Sequence, residues 1–191
     1  MTRILSEKYR SKVMGAEEAA RLIKNGDTIG FAGFTGSGYP KVIPGALAAE
    51  IKAAHGRGEE FKVNVLTGAS TAPELDGALA EVGGVAMRMP YQSDPHMRNA
   101  INDGTSQYHD VHLSHSGPQV RAGFWGKMDW AIIEVTKIKA DGTIVPSSSI
   151  GNNNVYLEVA DKIILEVNSW QSEDLEGMHD LYSMRLPTHN V

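Results

Sequence analysis

A glycine-rich loop after an apolar segment constrains the fold of this chain more than any other feature. Residues 30–41 read Gly-Phe-Ala-Gly-Phe-Thr-Gly-Ser-Gly-Tyr-Pro-Lys, with four glycines in nine residues. An apolar segment precedes this loop and an alanine-rich segment with helical spacing follows it, which predicts a strand–loop–helix unit. Glycines at this density let backbone N–H groups approach a ligand and adopt positive φ angles. Before a helix N-terminus, such a loop suits an anion.

The loop does not match the usual phosphate-binding motifs. The dinucleotide fingerprint needs a third glycine, and Lys41 stands at that position after Gly36, Ser37 and Gly38. The P-loop needs Gly-Lys-Ser/Thr, which this sequence does not contain. Gly36, Ser37 and Gly38 are therefore candidate ligand-binding residues, and a tight turn without a ligand is an equal alternative.

Composition excludes several classes of function. The chain has 191 residues, enough for one domain with a core, and a net charge of −5, which argues against a nucleic-acid partner. It has no cysteine, which excludes disulfides, thiolate catalysis and cysteine-bound metals, and fits a cytoplasmic setting. Neither a secretory signal nor an apolar run long enough to cross a membrane is present, so we expect no membrane association.

Short apolar segments alternate with amphipathic ones along the chain. This order predicts an α/β fold, an open and mostly parallel sheet with helices on both faces. A hairpin turn is expected at Asp141-Gly142, between strands at 132–138 and 143–145. The other predicted strands cover residues 28–31, 62–67, 85–89, 130–135 and 162–167, and the predicted helices cover 16–24, 43–54, 73–81, 97–103 and 154–160.

Three loops follow the carboxyl ends of predicted strands and should lie at one edge of the sheet. We name them the first loop (residues 33–41), the second loop (68–71) and the third loop (90–95). Together they form a rim of hydroxyls and backbone amides that could hold a carboxylate or polarise a carbonyl. Ordinary turn residues are the alternative interpretation. Their polar side chains are Thr35, Ser37, Ser70, Thr71, Gln92 and Ser93.

Other polar residues give weaker signals. His109, His112 and His115 lie three apart, but the residues around Gly117 and Pro118 predict a poor helix, so we expect loop histidines and no metal site. A second set consists of carboxylates. Glu134 and Glu166 stand in apolar strands, where they are either catalytic candidates or hydrogen-bonded structure. Glu74 and Asp76 are expected to face solvent. These carboxylates cannot be paired from the sequence alone.

Eight ordered segments resemble the N-terminal half of the acetyl-CoA hydrolase/transferase family, which includes succinyl-CoA:acetate and propionyl-CoA:succinate CoA-transferases. The resemblance covers roughly residues 11–180. The segments are residues 33–41, 66–71 (Leu-Thr-Gly-Ala-Ser-Thr), 98–104, 132–135, 141–146, 149–152 (Ser-Ile-Gly-Asn), 162–168 and 175–180 (Leu-Glu-Gly-Met-His-Asp).

The resemblance implies two related α/β domains with the active site between them. It implies a ping-pong reaction in which a glutamate attacks an acyl-CoA, giving an acyl-glutamyl anhydride and then a glutamyl-CoA thioester. An acceptor carboxylate then takes the CoA, or water does, which gives hydrolysis. Members are about two and a half times longer, with the catalytic glutamate in their second half. Residues 1–191 are therefore expected to be a truncated N-terminal domain, or one half of a split enzyme, without a catalytic residue and inactive alone.

The resemblance also implies partners and a binding side. Gly36, Ser37, Gly38, Ser70 and Ser93 would face the acyl group. Acyl-CoA and acetate, propionate or succinate would be the substrates, with the CoA thioester as a substrate and no resident cofactor. We expect a homo-oligomer and a face covered by the missing half. The alternative function is a non-catalytic small-anion-binding or sensor domain of the same fold.

The covered face should expose apolar side chains. Phe34, Tyr39 and Tyr91 belong to the first and third loops and are the expected members of this patch.

Overall fold

The computed structural model describes residues 3–180, in which short strands alternate with helices. The strands are β1 (Thr28–Phe31), β2 (Val63–Leu66), β3 (Val85–Met89), β4 (Gln107–Tyr108), β5 (Trp130–Ile138), β6 (Ile144–Pro146) and β7 (Lys162–Val167). The helices are α1 (Glu7–Arg10), α2 (Ala16–Ala20), α3 (Ile43–Gly56), α4 (Ala78–Glu81), α5 (Pro95–Asn102), α6 (Leu113–Arg121) and α7 (Asn153–Val159). A π-helical turn (Pro73–Gly77) precedes α4, and a 3-10 turn (Glu173–Leu175) follows β7.

The strands form one mixed sheet that is mostly parallel. Its order is β4-β3-β2-β1-β5-β6, and β7 also pairs with β5. All pairs are parallel except β5 with β6, which is the antiparallel hairpin expected at Asp141-Gly142. Parallel strands place their carboxyl ends at one edge, so β1, β2 and β3 deliver the three loops to the same side. The predicted α/β class is confirmed.

Helices cover both faces of the sheet. Alternate residues of β5 point to opposite sides, since Trp130 and Ile132 join one apolar cluster while Ala131 and Ile133 join the other. The first cluster contains buried residues of α2, α3, α4 and α5, and the second contains residues of α1, α6 and α7. This two-sided burial explains why β5 reads as a nearly continuous apolar run in the sequence.

Most predicted elements agree with the structure, and two helices differ for local reasons. The strands predicted at 28–31, 85–89 and 162–167 have those bounds. The helix predicted at 16–24 ends at Ala20, because Leu22 and Ile23 donate to carbonyls three residues back and form tight turns. The segment predicted as one weak helix at 73–81 is divided into the π-helical turn and α4.

The prediction of a poor helix around the histidines is wrong, because residues 113–121 form α6. Gly117 lies against Val155 of α7, where an added Cβ would come within 3.3 Å of the Val155 side chain. Packing against α7 therefore outweighs the low helix propensity of Gly117 and Pro118. Helix α1 and strand β4 were also not predicted. Among residues 3–180, no helix has both the length and the apolar character needed to cross a membrane.

Candidate functional site

The structure brings the three loops together at the carboxyl edge of β1, β2 and β3. The Gly36 N–H in the first loop donates to the Ser70 carbonyl of the second loop at 3.4 Å. The Ser70 and Ser93 hydroxyl oxygens, from the second and third loops, lie 2.6 Å apart. Two of the residues expected to bind an acyl group are therefore direct neighbours, although 22 residues separate them in sequence.

The Ser70–Ser93 pair joins a buried hydroxyl to an exposed one. Ser70 is buried while Ser93 is exposed to solvent. The Ser93 N–H donates to Ser70 Oγ at 3.1 Å, and the Ser70 hydroxyl lies 3.3 Å from the Thr71 carbonyl oxygen. Their hydrogen bonds within residues 3–180 go to each other and to backbone, so no base activates either hydroxyl there. The pair can donate to an oxygen of a ligand, but it lacks the features of a serine nucleophile.

A buried ion pair lies directly beneath the second and third loops. Arg88 of β3 is fully buried, and its guanidinium donates to Asp76 Oδ1 at 2.7 Å and to Asp76 Oδ2 at 3.0 Å. Asp76 also accepts from the Thr71 hydroxyl at 2.6 Å and from the Thr71 N–H at 3.2 Å. The expectation that Asp76 faces solvent is wrong, since only 1% of it is exposed. Glu74, by contrast, is exposed.

The ion pair controls the protonation of Asp76. Burial by itself would raise the pKa of this carboxyl, because a low-dielectric environment disfavours the charge. The positive charge of Arg88 and the hydrogen bonds from Arg88 and Thr71 outweigh burial and hold the pKa of Asp76 below its ordinary value. Asp76 is therefore ionised throughout the neutral range.

The first loop contacts a serine-rich segment that the sequence analysis did not include in the site. We name residues 147–149, after β6, the serine loop. The Ser37 and Ser148 hydroxyl oxygens lie 2.9 Å apart, and the Ser149 hydroxyl donates to the Ser37 carbonyl at 2.6 Å. Three consecutive serines after a predicted strand were the available signal. The strand that positions them is antiparallel, so the rule for parallel strand ends did not apply.

Close backbone approach explains two of the glycines in this region. A Cβ on Gly68 would lie 2.6 Å from the Gly33 carbonyl oxygen and 2.9 Å from the Gly151 Cα. A Cβ on Gly38 would lie 2.5 Å from the Ser149 hydroxyl, and Gly38 has a φ of 66°. Only glycine allows the first loop, the second loop and the segment after the serine loop to pack this closely.

The N-terminus of α3, after the first loop, is already occupied by a carboxylate of the chain. Glu166 of β7 accepts from the Lys41 N–H at 2.7 Å, from the Val42 N–H at 3.1 Å and from the Ile43 N–H at 2.9 Å. These are the amide groups that the strand–loop–helix pattern offered to an anion. The anion expected at this helix end is therefore Glu166 itself, and a ligand of the first loop must contact other groups.

Glu134 occupies the neighbouring register position on β5, opposite Glu166, and is fully buried. Its Oε2 accepts from Lys41 Nζ at 2.6 Å and from Asn168 Nδ2 at 3.2 Å. Its other oxygen, Oε1, has no hydrogen-bond partner among the described residues. Both strand glutamates are thus held by contacts within the chain, which agrees with their structural interpretation.

The apolar patch expected on this side is only partly present. Phe34 and Tyr91 are exposed by 40% and 56%, whereas Tyr39 is 5% exposed and does not belong to the patch. The Tyr39 hydroxyl donates to Glu74 at 3.0 Å. Burial, followed by this hydrogen bond and the nearby charges of Glu74 and Glu134, raises the pKa of Tyr39 to about 12.

The three histidines do not come together as a metal site. The His109 ring packs against Trp125, and the His112 and His115 rings lie 5.5 Å apart. His112 is the N-cap of α6, where its Nδ1 accepts from the Ser114 N–H at 3.4 Å. Within residues 3–180, no group of three or more histidines and carboxylates is arranged to hold a metal ion.

Comparison with known proteins identifies the family. Residues 2–187 match the acetyl-CoA hydrolase/transferase N-terminal domain. The chain belongs to the acetyl-CoA hydrolase/transferase family. It is 44% identical to the succinyl-CoA:acetate CoA-transferase of Clostridium kluyveri over 97% of its length, and 40% identical to the acetyl-CoA hydrolase of Eremothecium gossypii over 96%. It covers 34% and 36% of these two proteins, so it spans about a third of the length of the relatives it matches.

Solved structures support the same fold. RipA from Yersinia pestis superimposes with a TM-score of 0.66 over 85% of this chain and 38% of its own, at 21% sequence identity. Glutaconate coenzyme A-transferase from Acidaminococcus fermentans gives a TM-score of 0.56 over 86% of this chain and 66% of its own, at 13% identity. At these identities the likeness describes the fold. The family resemblance read from the sequence segments is confirmed by the family match and the relatives.

Proposed function

We propose that this chain forms the acyl- and carboxylate-binding side of a CoA-transferase or acetyl-CoA hydrolase. The observation that carries the proposal is the Ser70–Ser93 hydroxyl pair, 2.6 Å apart at the carboxyl edge of the sheet in a member of this family. Ser37 and the backbone of Gly36 and Gly38 complete this side of the site. The covalent glutamate is supplied by polypeptide outside this sequence.

The hydroxyl pair suits an acyl oxygen or a carboxylate. Ser93 is exposed and Ser70 is buried behind it, so an incoming oxygen meets a donor whose position is fixed by a second hydroxyl. Donors fixed before the reaction stabilise charge that develops on a carbonyl oxygen, because they need not reorient during the step. The same donors can hold the carboxylate that leaves or enters.

The proposed reaction proceeds by nucleophilic catalysis. The glutamate carboxylate attacks the thioester carbonyl, the C–S bond breaks, and CoA leaves as a thiolate with an acyl-glutamyl anhydride behind it. The thiolate then attacks the glutamyl carbonyl and releases the first carboxylate, giving glutamyl-CoA. An acceptor carboxylate repeats these steps in reverse to receive CoA, whereas water hydrolyses the intermediate. The CoA thioester enters as a substrate, and no resident cofactor takes part in these steps.

Glu134, which is buried in β5, and Glu166, which is half-buried in β7, are poor nucleophiles for this reaction. Glu166 is held by three backbone N–H groups at the start of α3, and Glu134 is fully buried beside Lys41. Both carboxylates are already engaged by groups of the chain at the end of the first loop, which supports a nucleophile from elsewhere. The relatives are about three times as long as the aligned region, and we place the nucleophilic glutamate in their additional length.

We further propose that the complete protein is a homo-oligomer in the cytoplasm.

The sensor-domain alternative has less support. It requires an anion at the first loop, where the helix N-terminus attracts negative charge. Glu166 already accepts hydrogen bonds from those amides, so the strongest anion position of this loop is filled. The remaining polar groups of the edge are hydroxyls, which suit an acyl oxygen as well as an anion.

CoA transfer from succinyl-CoA to acetate tests the proposal. We expect no turnover by the purified chain alone, and turnover when the uncovered two thirds of the Clostridium kluyveri relative is added as a separate polypeptide. In the complemented enzyme, Ser70→Ala should reduce kcat by about 100-fold, because the Ser93 donor loses the hydroxyl that fixes its position. Ser114→Ala, which alters an exposed serine on α6, is the matched control and should leave kcat unchanged. Turnover by the chain alone would contradict the assignment, as would an active Ser70→Ala variant.

A further inference from the structure

The spacing between Ser70 and Ser93 depends on two separate loops. Ser70 follows β2 and Ser93 follows β3, and these strands pair with a register shift between Val63 and Asn64. The hydroxyl–hydroxyl contact of 2.6 Å therefore needs something that fixes one loop against the other. A hydrogen bond between two hydroxyls, one of which is exposed, is too weak to do this alone.

Arg88 contacts both loops with one side chain. Its guanidinium donates to the Met89 carbonyl at 2.7 Å and to the Pro90 carbonyl at 3.4 Å, at the start of the third loop. It donates to the Ala69 carbonyl at 3.2 Å, next to Ser70 in the second loop. All of these bonds are buried, so water does not compete for the donors.

Asp76 closes the same network on the other side of Ser70. Its carboxylate receives two bonds from Arg88 and two from Thr71. Ser70 thus lies between two residues, Ala69 and Thr71, that are both tied to the ion pair. The third loop is tied to the same guanidinium through Met89 and Pro90.

We propose that Arg88 and Asp76 are positioning residues that set the spacing of Ser70 and Ser93 for the acyl group, an inference that rests on the proposed function. The Arg88–Asp76 pair therefore fixes the geometry of the two loops in addition to any contribution that it makes to stability. Buried ion pairs are often replaced by apolar residues without loss of stability, so a pair with bonds to four backbone groups around two loops is better explained by the geometry that it imposes.

The planar guanidinium group of Arg88 is essential for positioning the two loops. A guanidinium has five N–H donors in a fixed plane, and Arg88 uses them in three directions. Lysine keeps the charge but presents a single ammonium group, which cannot reach both loops and Asp76 at once. Arg88→Lys therefore separates positioning from charge neutralisation.

The absence of cysteine allows a direct measurement of the spacing. The variant Ser70→Cys/Ser93→Cys places two thiols where the hydroxyls lie, and equilibrium with reduced and oxidised glutathione gives their effective concentration. A disulfide requires Cβ atoms about 3.5–4.5 Å apart, so this quantity is sensitive to loop separation. We would measure it in the parent, Arg88→Lys, Asp76→Leu/Arg88→Met and Arg121→Lys backgrounds. Arg121 pairs with Glu158 on the exposed surface and is the matched control.

We expect efficient disulfide formation in the parent and in Arg121→Lys. In Arg88→Lys and in Asp76→Leu/Arg88→Met, the effective concentration should fall by about tenfold or more, because the two thiols lose their fixed orientation. Melting curves of the reduced proteins identify variants that do not fold. The double variant carries no unpaired buried charge, so it remains informative if Arg88→Lys is unfolded.

Several results would overturn the proposal. These are no disulfide in the parent, an unchanged effective concentration in folded Asp76→Leu/Arg88→Met, or failure of both variants to fold, which would make the pair a stability element. The measurement uses no CoA ester. If the proposed function is wrong, the transfer assay fails while the disulfide measurement still shows the effect of Arg88 and Asp76. If the positioning role is wrong, the disulfide measurement fails while the transfer assay is unaffected.

Discussion

The first loop and the Ser70–Ser93 pair lie side by side but are held in different ways. Ser37 in the first loop rests on surface contacts with Ser148 and Ser149, next to glycines with positive φ. Ser70 and Ser93 rest on a buried arginine–aspartate pair. Glycine density therefore marks an unusual backbone path, whereas the positions of the most closely spaced hydroxyls depend on charges hidden beneath them.

The largest effect should come from breaking the buried pair. Asp76→Asn leaves Arg88 buried without its counter-charge, and we expect the free energy of unfolding at pH 7 to fall by about 3–5 kcal/mol. Urea unfolding followed by circular dichroism measures this. Glu158→Gln removes the carboxylate partner of exposed Arg121 and should change stability by less than about 1 kcal/mol. Equal losses of unfolding free energy in Asp76→Asn and Glu158→Gln would show that burial does not make the Arg88–Asp76 pair more stabilising than the exposed Arg121–Glu158 pair.

The pH dependence of this effect has a definite sign. The pKa of Asp76 is lower in the folded chain than in the unfolded one, where it is about 3.9. The unfolded state therefore binds the proton more readily, and the stabilisation is complete above about pH 4 and is lost as the pH falls through the folded value. The difference in the free energy of unfolding between the parent and Asp76→Asn should shrink below about pH 4. A constant gap would contradict the link to ionisation of Asp76.

The second prediction concerns the backbone of the first loop. Gly36 and Gly38 both have positive φ, 76° and 66°, but only Gly38 packs against the serine loop. Gly36→Ala should cost about 1–2 kcal/mol from backbone strain. Gly38→Ala should cost about 1–3 kcal/mol more, because its Cβ would overlap the Ser149 backbone at 2.7 Å and 2.9 Å.

These two variants are matched, since they make the same chemical change two residues apart. Thermal unfolding of both, with the parent alongside, separates strain from overlap. If Gly36→Ala and Gly38→Ala had the same melting temperature, overlap with the serine loop would add no cost beyond backbone strain. The contact between the first loop and the serine loop would then not contribute to stability.

The third prediction tests why the first loop lacks an anion site at α3. Glu166→Ala removes the carboxylate from three backbone N–H groups and should cost about 1 kcal/mol, the usual value of a helix N-cap. The freed amides should then accept an external anion. Melting temperature should rise with phosphate in Glu166→Ala more than in the parent or in Glu158→Ala. An equal phosphate response in all three would mean that the helix end does not bind anions.

Local sequence predicted the fold well because its signals are local. Apolar runs define β1, β3 and β7, with glycine or proline near the first two, and the strand–helix order defines a parallel sheet whose loops share an edge. Helix α6 was missed because its stability comes from contact with α7 rather than from its own residues. No window of the sequence around Pro118 contains that information.

The sequence predicted that the three loops share one edge of the sheet, but not the buried contacts that hold them together. Ser70 and Ser93 could be named, because family segments and strand ends both point to them. Asp76 was expected to face solvent, and its partner Arg88 lies 12 residues further along the chain, in β3. Their pairing depends on the β2–β3 register, which includes a shift that no sequence pattern indicates.

An effect as small as that of Glu166→Ala should come from Tyr39 of the first loop. Its hydroxyl donates to Glu74, so Tyr39→Phe should cost about 1 kcal/mol at neutral pH. The pKa of Tyr39 is raised to about 12, above the ordinary value of 10.0, so its contribution is complete below about pH 10 and is lost as the pH rises through about 12. The stability difference between parent and Tyr39→Phe should therefore vanish in that alkaline window. A difference that persisted beyond about pH 12 would show that the hydrogen bond from the neutral Tyr39 hydroxyl to Glu74 is not what distinguishes the parent from the variant.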